Sequence, residues 1–392
     1  MINLTKLLFK TDNFGDSLRY HPSCSIQKQG TAQGKGPVVA WNITRTCNLY
    51  CQHCYSNSTN QIYPEELTTE ECEKVIDDLA QFRVPVLLIS GGEPLTRPDI
   101  FLLMEYAIQK GIRVTLSTNG TLIDEKIAKK LKKMGVSYVG ISLDGLEKEH
   151  DAFRGKKGAF QEALRGIRNC LMVGQKVGLR FTLNRKNLHT LENIFRLIEE
   201  ENIPRACFYH LVYSGRGSSL VEQDISPQET RAALDLIIDK TSSLNEAGKN
   251  VEVLTVDNHA DGVYLYLKLK EANPPLAQHV FQLLSANGGN RSGIAIGNID
   301  YQGNIHPDHF TSTYNLGNIR DEPFSQIWQS AQHPILAGLR RRKGFLKGRC
   351  AECAYLKMCN GNFRARAQVV YGDFWESDPA CYLSDQEISS PV

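Results

Sequence analysis

The chain lacks any long hydrophobic run, and it lacks a strong excess of charge of either sign. No apolar tract reaches the roughly 18 residues of a membrane-spanning helix, so no membrane span is expected. The net charge is only +2 over 392 residues, which argues against electrostatic binding of nucleic acid. The first residues also lack the apolar region and cleavage site of a signal peptide. We therefore expect a cytoplasmic protein with neither nucleic-acid nor membrane partners.

A disulfide scaffold is also not expected, because thiols stay reduced in a large cytoplasmic chain. The eleven cysteines instead fall mainly into two clusters. The first cluster holds three cysteines and the second holds four, namely Cys47, Cys51, Cys54 and then Cys350, Cys353, Cys359, Cys381. This grouping predicts metal chemistry rather than cross-linking.

The first cluster has the spacing C-x3-C-x2-C and directly follows a predicted strand. An iron–sulfur cube normally takes four cysteine ligands. Three cysteines leave one iron with an open position, and open metal positions are where chemistry occurs. A zinc site and three unrelated core cysteines are the alternatives to a catalytic cluster.

A second motif, Ser-Gly-Gly-Glu-Pro at residues 90–94, follows the next predicted strand. Glycines let the backbone approach a ligand closely, and Glu93 can accept hydrogen bonds from an ammonium group. Together with the cysteine spacing, this motif resembles the signature of the radical S-adenosylmethionine (SAM) family. The resemblance implies that a 4Fe-4S cluster on the first three cysteines binds SAM and cleaves it to a 5′-deoxyadenosyl radical.

The same resemblance implies a set of SAM-binding residues near the ends of successive strands. Small polar residues at strand ends are often only turn formers, which is the alternative explanation for some of them. An arginine can bind a carboxylate through two hydrogen bonds, so Arg180 is a candidate for contact with the carboxylate of SAM. Arg216 is also a candidate for contact with substrate. The implied SAM-binding residues are Tyr55, Gly91, Gly92, Glu93, Ser117, Asn119, Ser142, Arg180 and Arg216.

Strand-like and helix-like segments alternate from residue 37 onward. Apolar runs predict buried parallel strands over residues 38–43, 86–89, 114–116, 138–143, 177–183 and 207–212. Helix-like stretches lie over residues 69–82, 100–110, 124–134, 159–173, 191–201 and 227–244. The family resemblance implies an α/β fold, a partial (β/α)6 TIM-like barrel, with its site at the C-terminal ends of the strands.

Three parts of the chain are expected: an N-terminal extension (1–36), a radical SAM core (37–250) and a C-terminal domain (251–392). The four cysteines of the second cluster fit either one iron–sulfur cluster or a zinc site. Their stretch resembles the SPASM or twitch domain, which implies an auxiliary 4Fe-4S cluster. Asp308 stands where the full pattern has a cysteine, so one auxiliary cluster is implied rather than two.

The N-terminal stretch, the pair Pro307-Asp308 and the single four-cysteine group together resemble radical SAM enzymes that trim side chains of iron tetrapyrroles, the NirJ/AhbC type. The resemblance implies removal of carboxylate side chains in the biosynthesis of heme or heme d1. The nearest reaction is deacetylation of 12,18-didecarboxysiroheme to iron-coproporphyrin III. Its electron donor would be a low-potential ferredoxin or flavodoxin. NirJ-like propionate removal, a SPASM-type peptide or protein maturase and a non-catalytic zinc module are the alternatives.

A substrate with several carboxylates requires cationic side chains around its pocket. We expect the tetrapyrrole to lie between the barrel mouth and the C-terminal domain. Any one of the candidate side chains is more often an ordinary surface residue. The candidates for substrate contact are Arg19, His21 (as an axial iron ligand), Arg45, Arg154, Arg216, Arg291 and Asp308.

Overall fold

The structure is a computed structural model that describes residues 1–13, 15–24, 29–31, 36–330 and 332–389. One sheet of eleven strands runs through this part of the chain. In chain order the strands are β1 (Ile2–Asn3), β2 (Val38–Thr44), β3 (Val86–Gly91), β4 (Arg113–Thr118), β5 (Tyr138–Ser142), β6 (Val177–Leu183), β7 (Arg205–His210), β8 (Glu252–Val256), β9 (Ile296–Ile299), β10 (Asn304–His306) and β11 (Gly317–Asn318).

Helices cover the outside of the sheet and build most of the C-terminal part. They are α1 (Leu4–Phe9), α2 (Asp16–Arg19), α3 (Thr69–Gln81), α4 (Ile100–Gln109), α5 (Glu125–Met134), α6 (Glu147–Arg154), α7 (Ala159–Met172), α8 (Leu191–Glu200), α9 (Pro227–Glu246), α10 (Ala260–Ala272), α11 (Pro274–Asn287), α12 (Phe324–Gln329), α13 (Pro334–Leu339), α14 (Gly348–Glu352), α15 (Leu356–Cys359), α16 (Arg364–Tyr371) and α17 (Asp385–Ser389). Within the described ranges, no helix combines the length and the apolar character needed to cross a membrane.

Local chemistry explains where several of these helices begin and end. Thr68 and Glu71 form a capping box at the start of α3, which satisfies backbone N–H groups that have no partner within the helix. Gly135 ends α5 in the left-handed region, a conformation that glycine adopts without steric cost. The apolar stripes of α7 and α8 face the sheet and are buried in the core.

The six predicted parallel strands are β2 to β7, and they pair in sequential order as a TIM-like α/β fold requires. The parallel array extends further than six strands. β8 pairs parallel with β7, and β9 returns from the C-terminal part of the chain to pair parallel with β2. The sequence does not reveal these pairings because strands β8 and β9 find their partners only through long-range contact.

The first residues of the chain are also built into the sheet. β1 pairs antiparallel with β8, and the side chains of Ile2, Leu4 and Leu7 are buried in the core. Asn3 donates hydrogen bonds to Asp16 and Glu252, each at 3.1 Å. The division of the chain at residues 36 and 250 remains a prediction, and segments on both sides of each boundary contribute strands to one sheet.

Candidate active site

The three cysteines of the first cluster lie in the loop that follows β2, at the C-terminal end of the parallel strands. All three line one cavity of about 1080 Å³. Cys47 and Cys51 are buried, and Cys54 is half-buried. The backbone N–H of Leu49 lies 3.4 Å from Sγ of Cys47, and that of Ser58 lies 3.4 Å from Sγ of Cys54. These N–H groups are oriented to stabilise thiolate sulfur.

The cysteine sulfurs are buried among few charges. Burial raises the pKa of Cys47 to about 12 and also raises the pKa of Cys51. Nη1 of Arg154 lies 3.5 Å from Sγ of Cys51, and the same guanidinium forms a buried ion pair with Asp144. Arg154, a predicted substrate contact, therefore places its positive charge beside the cysteine loop.

The arrangement of donors fits a cluster better than a single metal ion. In the described ranges, no three His, Cys, Asp or Glu side chains converge on one metal position, as a zinc site requires. An iron–sulfur cube instead bonds each cysteine to a different iron and holds the sulfurs apart. The three cysteines would hold such a cluster at the floor of the cavity, beside the predicted SAM residues.

The glycines of the second motif allow the backbone of β3 to touch the backbone of the cysteine loop. A Cβ atom on Gly91 would lie 2.3 Å from the carbonyl oxygen of Thr44, and one on Gly92 would lie 2.2 Å from that of Thr46. Gly91 also has a φ of +131°, which favours glycine. Both glycines line the cavity, so any side chain here would displace the cysteine loop.

Glu93 is hydrogen-bonded within the protein, and its contact with the ammonium group of SAM stays a prediction. Its carboxylate accepts hydrogen bonds from the Asn119 N–H (2.8 Å), the Thr118 hydroxyl (2.8 Å) and the Leu95 N–H (3.1 Å). The side chain is fully buried, burial raises its pKa, and it is not among the residues that line the cavity. Glu93 thus ties the end of β3 to the end of β4 behind the cavity wall.

Seven of the nine residues predicted to contact SAM line this cavity. Arg180 donates to the Tyr209 hydroxyl at 2.8 Å and also bonds the Ser117 hydroxyl. The Tyr55 hydroxyl donates to Oδ1 of Asn42 at 3.0 Å and lies 2.9 Å from the Ser90 hydroxyl. The seven are Tyr55, Gly91, Gly92, Ser117, Asn119, Ser142 and Arg180.

Arg216 is the second predicted SAM residue outside the cavity wall. Its guanidinium donates to the carbonyl oxygens of Cys51 and Ser58, each at 2.9 Å, and stacks over the Tyr50 ring. Its backbone N–H donates to the carbonyl oxygen of Cys54 at 2.9 Å. Arg216 therefore fastens the segment after β7 to the cysteine loop, and its contact with SAM or substrate stays a prediction.

Sequence reasoning missed several residues of the cavity. Tyr209 lies in β7 and Asp257 directly follows β8. His309 and Phe310 lie in the loop after β10. His309 packs edge-on against Tyr55, and burial lowers its pKa to about 4, so its ring is neutral at pH 7. Alternation along β7 could have indicated Tyr209. The pair Pro307-Asp308 already marked the loop of His309 in the sequence, but it assigned neither His309 nor Phe310 to the SAM cavity.

The four cysteines of the second cluster surround their own cavity of about 460 Å³. Burial raises the pKa of Cys381 to about 11 and also raises the pKa values of Cys353 and Cys359. Four cysteines around one space supply the number of ligands that a fully ligated iron–sulfur cluster requires. Cys350, Cys353, Cys359 and Cys381 are therefore able to hold the auxiliary cluster that their spacing predicts.

A larger cavity of about 1580 Å³, part of it open to solvent, adjoins the first. The two cavities share a wall made by Leu88, Ser117, Arg180, Tyr209 and Asp257 together with His309. Two of the predicted substrate arginines, Arg19 and Arg291, line the larger cavity, and Arg154 lines the smaller one. The cavity inside the barrel therefore borders directly on the predicted SAM site.

The remaining substrate candidates lie elsewhere. Arg45 donates to the Tyr301 hydroxyl at 3.0 Å and stacks over the Tyr63 ring. Asp308 accepts from the backbone N–H groups of residues 310 and 311 and shapes the loop that carries His309. His21 bonds Ser23 within its own turn. None of the three lines either cavity, because local partners take up their polar groups.

Comparison with known proteins agrees with this geometry. The model of the Radical SAM superfamily matches residues 41–198, and that of the SPASM iron–sulfur cluster-binding domain matches residues 296–354. The chain is 52% identical to Fe-coproporphyrin III synthase of Methanosarcina barkeri over 397 residues, which covers 99% of each chain. It is 43% identical to pre-heme d1 synthase of Dinoroseobacter shibae over 383 residues, which covers 97% of this chain and 93% of that one.

The fold has solved counterparts. A crystal structure of Streptococcus suis SuiB bound to S-adenosylmethionine superposes with a TM-score of 0.69 at 19% identity, over 89% of this chain and 78% of SuiB. The resemblance that the cysteine spacing carried is confirmed, and the cofactors are SAM, the catalytic 4Fe-4S cluster and the iron–sulfur cluster of the SPASM domain. The chain belongs to the radical SAM superfamily and is one of its SPASM-bearing enzymes.

Proposed function

We propose that the protein removes acetate side chains from 12,18-didecarboxysiroheme and so produces iron-coproporphyrin III. The observation that carries this proposal is the 52% identity to Fe-coproporphyrin III synthase along the whole of both chains. Removal of propionates on the way to heme d1 is the second candidate, supported by the 43% identity to pre-heme d1 synthase. The peptide-maturase alternative is supported by 30% identity to Mycofactocin maturase MftC of Mycolicibacterium smegmatis over 88% of this chain, which is lower than the identity to either tetrapyrrole enzyme.

The two adjoining cavities give SAM and a substrate neighbouring places in the protein. When bound, SAM and the catalytic cluster supply hydrogen-atom abstraction at an unactivated carbon. The protein's own task is to place that carbon and to exclude water. Buried Cys47 and Cys51 keep the cluster site away from solvent, and Tyr209 and His309 belong to the wall that both cavities share. A substrate in the larger cavity would meet SAM at that wall.

Electrons for the catalytic cluster come, in this proposal, from a low-potential ferredoxin or flavodoxin. A cluster that reductively cleaves SAM requires a donor of low potential, because iron–sulfur potentials span a wide range and this cleavage lies at the low end. The assay can use a chemical reductant in place of the natural donor.

The test is anaerobic incubation with 12,18-didecarboxysiroheme, SAM and a reductant, followed by mass analysis of the tetrapyrrole. The expected product has lost acetates and has the mass of iron-coproporphyrin III. The Cys47→Ala/Cys51→Ala/Cys54→Ala variant should form neither this product nor 5′-deoxyadenosine. Cys170→Ala is the matched control, because Cys170 is a buried core residue of α7 outside both clusters.

Each other outcome discriminates between the candidates. A product that has lost propionates, which is lighter by one further CH₂ per side chain, would favour the heme d1 candidate. SAM cleavage that leaves every tetrapyrrole unchanged would refute both tetrapyrrole reactions and favour a peptide or protein substrate.

A further inference from the structure

The inside of this barrel contains a cavity. In a closed TIM barrel, layers of bulky side chains fill the interior. Here the inward positions of β4 are Arg113, Thr115 and Ser117, which alternate along the strand and all line the larger cavity. The inward positions of the other strands carry both apolar and large polar side chains, and the cavity that they line measures about 1580 Å³, part of it open to solvent.

Two glycines keep that space open. A Cβ atom on Gly140 of β5 would lie 2.7 Å from Cδ of Arg180, and one on Gly178 of β6 would lie 2.4 Å from the Tyr138 hydroxyl. Each glycine therefore makes room for a large side chain that lines the cavity. The cavity extends from the first residues of the strands to the SAM side, a length of roughly 17–20 Å for strands of this size.

The walls of the cavity are apolar at its sides and cationic at one end. Val38, Val86, Leu88, Val256 and Ile296 supply apolar surface. Arg113 and Arg205 are the first residues of β4 and β7, so they mark the end of the barrel opposite the SAM site.

Segments that cover this end add further cations. Arg19 comes from α2, and Arg291 comes from the loop between α11 and β9. With Arg180 at the SAM side, five arginines line the cavity, and Asp257 is the one carboxylate among the described lining residues.

Carboxylates lie beside two of these arginines. Glu252 pairs with Arg19 at 2.9 Å and lies 3.4 Å from Arg205, and Asp16 pairs with Arg19 at 2.9 Å. Burial lowers the pKa of Arg113, and the nearby charge of Arg19 lowers it further. Burial also lowers the pKa of Arg291. A largely apolar space whose described lining includes five arginines and one carboxylate fits an apolar ligand that carries several negative groups.

We propose that the barrel interior binds the tetrapyrrole substrate, and that Arg113, Arg205 and Arg291 bind its carboxylates at the end opposite SAM. This inference rests on the proposed function, which supplies a planar apolar macrocycle with carboxylates at its periphery. The apolar strands contact the macrocycle, and the arginines set its depth and rotation. The acetate that reacts then lies at the wall shared with the SAM cavity. Arg45 and Arg216, which face neither cavity, take no part in binding.

The test is anaerobic titration of iron-coproporphyrin III into the reconstituted protein, followed by the shift of its Soret band. Arg113→Gln and Arg291→Gln should each weaken binding roughly tenfold to a hundredfold, because each removes a charge-assisted contact. Thr115→Phe keeps every charge but fills the cavity, and it should also abolish saturable binding. Arg168→Gln is the matched control, since Arg168 is exposed on α7 and pairs with Glu201.

Iron content and SAM affinity establish that each variant is folded. If Arg113→Gln does not fold, the binding measurements on Thr115→Phe and Arg291→Gln test the inference without it. A porphyrin with fewer carboxylates should lose less affinity in the arginine variants than iron-coproporphyrin III does. Saturable binding by the wild type with unchanged affinity in all three cavity variants would overturn this inference and leave the proposed function standing. No saturable binding by the wild type, either of iron-coproporphyrin III or of didecarboxysiroheme, would overturn both.

Discussion

A buried ion pair between Arg366 and Asp378 fastens the C-terminal part of the chain to the barrel, and its removal should be severely destabilising. Both side chains are fully buried, and two hydrogen bonds of 2.9 Å and 2.8 Å join them. The same guanidinium donates to the carbonyl oxygens of Leu211 at 3.0 Å and Asp257 at 2.8 Å, just beyond β7 and β8. One arginine thus connects α16 with two strand ends at the active site.

Arg366→Met keeps most of the side-chain volume but leaves the Asp378 carboxylate buried without its cation. Breaking a buried pair in this way costs about 3–5 kcal/mol. That is a large part of the roughly 5–15 kcal/mol by which a folded domain is stable. We therefore expect the variant to unfold at a much lower urea concentration than the wild type, with loss of the auxiliary cluster in the same transition.

The assay is urea unfolding of the anaerobically reconstituted protein, followed by far-UV circular dichroism and by iron–sulfur absorbance. Arg168→Met is the control, because its partner Glu201 lies at the surface and such exposed pairs contribute about 0–1 kcal/mol. Adding Asp378→Asn to Arg366→Met should recover part of the loss, since it removes the unpaired charge. If Arg366→Met is no less stable than Arg168→Met, the ion pair does not hold the two parts together.

Three further predictions follow from individual sites. Cys350→Ala/Cys359→Ala should lower bound iron from about eight to about four atoms per chain if both clusters are cubes, whereas iron that stays at eight would show that other ligands hold the second cluster. Arg154→Gln should lower the reduction potential of the catalytic cluster in an EPR-monitored titration and Arg154→Lys should not, because Arg154 places its charge 3.5 Å from Cys51 Sγ; equal potentials in all three proteins would refute this. Burial raises the pKa of Asp257 from 3.8 to about 6, so its ionised form costs stability above pH 6 and the cost is absent below about pH 4. Asp257→Asn should therefore be more stable than the wild type by at most about 3 kcal/mol. In urea titrations without SAM, the difference in the free energy of unfolding should grow between pH 4 and 6. A difference that does not change with pH would contradict this cause.

Local patterns were sufficient to predict much of the fold. β2 to β7 each contain an apolar run between helices, and such runs are typical of strands buried on both faces. Helix α6 was not predicted, because its residues 147–154 are mostly charged and show little apolar periodicity. The pairing of β9 with β2 joins residues more than 250 positions apart in the chain, and no local pattern contains it.

The cysteine positions were also visible in the sequence, because metal-ligand spacing within one loop is a local property. The direction of a long side chain is not local. Glu93 and Arg216 are predicted to contact SAM, and in the structure both side chains hydrogen-bond to groups in other segments and are not among the residues that line the cavity. The motif alone therefore does not determine the direction of either side chain.

The sequence by itself determined the radical SAM chemistry, since three cysteines in one loop and a glycine-rich strand end specify a cluster with an open iron. It also determined the parallel α/β core, because apolar runs and helix caps act over a few residues. Only the tertiary structure decided where a substrate fits. Arg113, Arg205 and Arg291 lie far apart in the chain and surround one cavity only because β4, β7 and β9 come together in a single sheet.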